Sequence, residues 1–156
     1  MRKLDRSLVR EAFAVHDRMD WQEPDLEMFP WDDHDVLAWR HPVGGSYYVC
    51  IPTRDGAVGA IFEMNAGAGN FAGSCDICHA QNHDVGVKPA LIETHANPRR
   101  KIGFHVCADL GCSLRIRGLR SALFPYETIS VGRRIERMQE KLGRIVERIR
   151  GEHPSR

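Results

Sequence analysis

Four of the five cysteines fall into two close pairs, Cys75-x2-Cys78 and Cys107-x4-Cys112, with 28 residues between them. Two thiolates on one tight turn reach a single ion, and a second pair completes the tetrahedron that zinc prefers. Gly73-Ser74-Cys75-Asp76-Ile77-Cys78 reads as the first such turn. His105, two positions before Cys107, is the alternative ligand. Four cysteines leave no open position for water, so the ion is expected to be structural and the chain not an enzyme. Neither an H-E-x-x-H helix nor the deaminase pattern occurs, and Ser74 rather than proline precedes Cys75. The fifth cysteine, Cys50, lies in a strand-like run and reads as a small buried hydrophobe.

The elements around these pairs are legible from pattern. Ser46 to Thr53 and Ala57 to Glu63 are β-rich runs on either side of Arg54-Asp55-Gly56, which predicts a hairpin. Pro89 to His95 and Lys101 to Val106 read as two more strands, with Asn97-Pro98 and Arg99-Arg100 in the turn. His34 to Arg40 is short enough to be helix or strand. The Gly-rich stretch 64–74 lacks a Gly-Lys-Ser/Thr and reads as the lead into the first cysteine turn rather than a phosphate loop. His79 and His83 read as surface histidines.

Flanking helices are expected at both ends. Residues 5–19 space Leu8, Val9, Ala12, Phe13, Val15 and Met19 as one amphipathic helix. Residues 130–150 repeat Ile135, Met138, Leu142, Ile145 and Ile149, with Ser130 as N-cap and Gly151 past the end. That apolar stripe must pack on the chain's own sheet or on a partner, so a homodimer through this helix is one expectation. Glu140–Arg144 and Glu147–Arg150 are spaced to support the helix. Knuckle, hairpin, then a second ligand pair at a helix start is the order of a treble clef. The expected fold is therefore α+β, one domain over 1–156, with a treble-clef core at about 46–120 between the two helices.

Overall charge conceals a polarity. The 156 residues carry 22 basic and 21 acidic side chains, a formal +1 with histidine neutral. Residues 1–35 hold five basic and ten acidic side chains, a net of −5, whereas residues 99–156 hold fourteen and six, a net of +8. A hydrophobic fraction of 42% is enough for a core and argues against bulk disorder. No apolar run approaches the ~18 residues of a membrane span, and Met1-Arg2-Lys3-Leu4-Asp5 lacks a signal-peptide stretch. An odd cysteine count without such a signal argues against a disulfide framework, so a cytoplasmic location without membrane contact is expected.

Cys75-Asp76-Ile77-Cys78-His79 and the run Gly103 to Gly118 (GFHVCADLGCSLRIRG) resemble the treble-clef zinc finger of the elongation-factor-G-binding proteins. That family includes the FusB-type fusidic-acid-resistance proteins, and CADLxCSLxxRG is similar to the form in short actinobacterial-type members. Leu37, Trp39, Arg40 and Pro42 resemble a second family motif. In the resistance members a histidine heads the second ligand pair, and Cys107 stands in that place here. The resemblance implies a zinc-finger protein that binds elongation factor G and influences its release from the ribosome. The resistance members also carry a helical bundle ahead of the finger, where this chain is expected to have only its short helix. Candidate contacts to a partner are Arg99, Arg100, Lys101, Arg115 and Arg117. The runner-up is an RNA- or ribosome-binding module, because +8 in the rear segment suits phosphates.

Overall fold

The computed structural model describes every residue except 2, 43, 66, 68, 70, 72, 82, 83, 125, 126 and 152–156. His83 therefore lies outside the described residues. Five strands form one antiparallel meander in the order β1 (Leu37–Arg40), β2 (Tyr47–Thr53), β3 (Gly56–Met64), β4 (Val87–Glu93) and β5 (Lys101–Cys107). Within the segment 34–40, ambiguous by pattern, Leu37–Arg40 form strand β1. The hairpin closes on Arg54 and Asp55, with Thr53 facing Gly56 across the turn.

Side chains alternate across a strand, so this sheet has two inner faces. Val49, Ile51, Val58, Ala60 and Phe62 face one core with the four paired cysteines, while Tyr48 and Cys50 face another with Phe13 and Trp31. Cys50 is fully buried, and burial pushes its thiol up to about 12. It packs as an inert apolar group.

Helix α3 (Val131–Arg150) covers the cysteine-bearing face. Ser130 Oγ accepts the Arg133 N–H at 3.4 Å, and Gly151 closes the other end at φ 82°, which glycine adopts without steric cost. Met138, Leu142, Ile145, Val146 and Ile149 are buried against the chain's own core. The apolar stripe is thus covered within the chain. The expected Glu140–Arg144 and Glu147–Arg150 pairs are not among the ion pairs of the described residues. Instead Glu127, ahead of the helix, pairs with Arg134 at 3.1 Å and Arg137 at 2.7 Å.

The N-terminal helix is shorter than periodicity predicts. Helix α1 spans Arg6–Glu11, capped by Asp5, and a 3-10 turn follows at His16–Arg18. The carbonyls that would continue the helix are taken by other donors. Ala12 O accepts the Gly59 N–H at 2.9 Å, and Phe13 O accepts Arg18 Nε at 3.0 Å and Nη2 at 2.6 Å. Val15 and Met19, assigned by spacing to the apolar face, are 81% and 85% exposed. Phe13 instead turns inward over Gly59, where a Cβ would fall inside its ring.

Candidate metal centre

The long connection between β3 and β4 carries the first knuckle. His79 N–H donates to Cys75 O at 2.8 Å, Cys75 N–H donates to Ala80 O at 3.1 Å, and Ile77 N–H approaches Cys75 Sγ at 3.4 Å. These bonds curl residues 75–80 so that both thiols point the same way. Asp76 then ties the knuckle to β5: its N–H donates to His105 O at 2.7 Å, and its Oδ2 accepts the His105 N–H at 2.6 Å.

Cys107 ends β5 and Cys112 begins α2 (Cys112–Ile116). Between them Leu110 N–H donates to Cys107 O at 2.8 Å, and Gly111 N–H donates to Asp109 Oδ1 at 3.0 Å. Each knuckle includes a non-glycine residue in left-handed backbone, His79 at φ 62° and Leu110 at φ 53°. Such a conformation costs roughly 1–2 kcal/mol per residue and persists where surrounding contacts impose it.

The four sulfurs lie within 4.8 Å of one another, and all four residues are buried. Cys75 and Cys112 are 3.7 Å apart, Cys78 and Cys107 3.6 Å, and none is disulfide-bonded. An ion with metal–sulfur bonds of ~2.3 Å in tetrahedral geometry would set its sulfurs about 3.8 Å apart. The donor set therefore fits one tetrahedral, thiophilic ion. Hydrogen bonds with Cys107, Cys112 and Cys78 hold the Cys75 thiol well below its usual range, while contacts with Cys107, Cys75 and Cys78 together with burial push Cys112 well above it. Four crowded thiols cannot all ionise without a cation, and an ion of this class binds them as thiolates.

His105 is not in this cluster. Its ring stacks on Phe71 at 4.1 Å, with Nδ1 3.8 Å from Asp76. Alternation alone would put Cys107 on the same outer face of β5 as His105; Cys107 departs from it because it ends the strand and turns into the core. His79, expected at the surface, is half-buried, and its Nε2 has no hydrogen-bond partner among the described residues.

The five cations proposed as partner contacts separate into two groups. Arg99 and Arg100 are exposed, and so is Lys101, which pairs with Glu63 at 2.7 Å and Glu93 at 3.3 Å. Arg115 is not a surface residue: its side chain is 0% exposed. Its Nη1 donates to Asp109 Oδ1 at 2.7 Å and its Nη2 to Asp109 Oδ2 at 3.1 Å, a fork that keeps the second knuckle in shape. Asp84 approaches the same Nη2 at 3.3 Å, and Arg120 adds a further contact to Asp109. Arg117 is also turned inward, donating to Asp35 Oδ2 at 2.6 Å and to Ser113 O at 3.2 Å. Arg115 lies on α2 and Arg117 caps its C-terminal end, and charge alone gave no sign that Asp109 and Asp35 receive them.

Comparison with known proteins agrees with this geometry. The family model described as the FBP C-terminal treble-clef zinc-finger matches residues 8–149. Among solved structures, that of the fusidic acid resistance protein FusC is similar in fold, with a TM-score of 0.56 and 17% sequence identity. The similarity covers 72% of this chain and 52% of that one, so the chain spans about half the length of that protein. No curated protein matches the sequence. Among the described residues, no helix is long and apolar enough to cross a membrane.

Proposed function

The chain belongs to the FBP C-terminal treble-clef zinc-finger family, and from that premise we propose a zinc-dependent protein-binding module whose partner is translation elongation factor G. The family match across both knuckles and both sheet faces is the observation that carries this reading. Zinc is the ion that suits four buried thiolates in a tetrahedron, and its role is structural. With all four positions taken by sulfur, no site remains for a metal-bound water, so the module is non-catalytic. Its action is to dock on the factor in the cytoplasm and alter the factor's release from the ribosome.

The exposed cations of the β4–β5 turn, Arg99 and Arg100, are the remaining contact candidates of the sequence-based set, since Lys101 is paired with Glu63 and Glu93 and Arg115 and Arg117 serve the fold. The test is capture of purified elongation factor G by the immobilised chain, with the Arg99→Ala/Arg100→Ala variant beside it. Retention of the factor by the wild type, weakened in the variant, is expected. No retention at any salt concentration would overturn the reading.

A further inference from the structure

Helix α3 carries cations on several faces, but they are not equivalent. Arg133, Arg134 and Arg137 are ion-paired, to Glu136 and Glu127. Lys141, Arg144 and Arg148 have no carboxylate partner among the described residues. Their i, i+3, i+7 spacing puts them on one face, with axial steps of about 4.5 and 6 Å. This face borders a groove of about 560 Å³ between α3 and β5, whose lining includes Gly103 and Phe104. Arg148 lies 4.7 Å from the centre of the Phe104 ring, which holds its guanidinium at the groove. Arg148 also lines an adjoining small cavity with Arg100, so the basic track continues onto the β4–β5 turn.

Two carboxylates line the groove, Asp76 and Glu147. Asp76 is already engaged by the His105 N–H and lies beside the His105 ring. That ring stacks on Phe71, which is 47% exposed. Phe71 is seated over Gly73, where any Cβ would collide with its ring. A run of unpaired cations with an exposed, fixed aromatic pair beyond its edge is the combination that binds single-stranded nucleic acid: cations follow the phosphates and the ring face takes a base.

We propose that the α3–β5 groove binds single-stranded nucleic acid, with Lys141, Arg144, Arg148 and Arg100 on the phosphates and the Phe71–His105 pair stacking a base. This site shares Arg100 with the protein-docking reading but does not depend on it, and the Lys141, Arg144 and Phe71 variants leave Arg99 and Arg100 intact. An acidic protein segment would also satisfy the cations but would have no use for the aromatic face.

The experiment is fluorescence anisotropy of the full, metal-loaded chain with a labelled 12-nucleotide oligouridylate, its deoxy counterpart and a poly-glutamate peptide, at several salt concentrations. Three to four phosphate contacts give an expected log–log salt slope of about −2 to −3 for a single strand. Lys141→Gln/Arg144→Gln/Arg148→Gln should weaken oligonucleotide binding at least tenfold and flatten the slope. Arg144→Glu alone, at an exposed position, should weaken it several-fold with metal content unchanged. Phe71→Ala should weaken binding without changing the slope, and Arg133→Gln should do neither. Absence of oligonucleotide binding, indifference to the triple and Arg144 variants, or equal competition by poly-glutamate would each overturn the proposal.

Discussion

The two faces of the sheet solve the same packing problem with different chemistry. On one face, β3–β5, α2 and α3 surround four cysteines, and local turns aim the donors. On the other, Phe13, Trp21, Trp39 and Tyr48 meet edge-to-face or stacked, with centroids 5.1–5.7 Å apart, and no metal-ligating cluster is present among the described residues. The cysteine face depends on a few directional bonds, whereas the aromatic face depends on area and shape, spread over many contacts. All three tryptophans belong to the aromatic face, so their fluorescence reports on it alone.

The largest test of this contrast is metal removal. Chelation, or Cys107→Ser, is expected to abolish zinc binding, normally about one ion per chain, and to unfold the cysteine face. Zinc-finger peptides bind their ion with roughly 10–16 kcal/mol, more than a small domain's whole stability. Helical circular dichroism, dominated by α3, should fall sharply while tryptophan emission shifts less. His105→Ala, outside the cluster, should leave metal content intact. Simultaneous and equal loss of both signals in the chelated protein would show that the faces are one cooperative unit.

Next in size is Phe13→Ala, which empties a fully buried ring site and should cost about 3–5 kcal/mol in urea denaturation. Metal content should be unchanged. A coupled loss of zinc would break the comparison from the other side.

The third test uses two carboxylates with opposite behaviour. Burial pushes Asp35 up, but hydrogen bonds from Arg117 and Gln139 outweigh it and hold the group below its ordinary value. Its contribution is therefore complete above the unfolded pKa of about 3.9 and is lost only as pH falls through the lower folded value. Asp17, in the N-terminal segment, is raised by burial, despite nearby His16. Its contribution is present below the unfolded value and is lost as pH rises through the folded one. Asp35→Asn should thus cost about 1.5–3 kcal/mol, unchanged between pH 5 and pH 8. Asp17→Asn should become progressively more favourable relative to wild type as pH rises from about 4. Urea midpoints across that range check both signs.

This contrast also decides what was legible in the sequence. Cys75 and Cys78 announce themselves because a two-residue spacing fits one turn, and Arg54-Asp55-Gly56 marks its hairpin by the same local logic. Ser130, the spaced apolar residues and Gly151 gave α3 nearly to the residue. What stayed hidden was long-range. Nothing near Ala12 signals that its carbonyl meets Gly59, 47 positions on, so the predicted helix over 5–19 ran past the observed end at Glu11. Arg115 and Arg117 read as surface cations because their partners, Asp109 and Asp84 for one and Asp35 for the other, become visible only in three dimensions. Likewise, His105 has the right chemistry for a ligand and the wrong side of a strand.

Gly59 has a mechanical meaning. Its N–H holds Ala12 from the N-terminal segment, and its carbonyl accepts from His95 Nε2 at 2.8 Å, a residue of the β4–β5 turn whose own N–H is held by Ile149 O at 2.7 Å. One residue in mid-strand therefore links the N-terminal segment, the far hairpin and, through His95, the last turn of α3. Tension applied through the segment at Ala12 and through Ile149 of α3 thus meets shear across the middle of the sheet instead of peeling β1 from its edge.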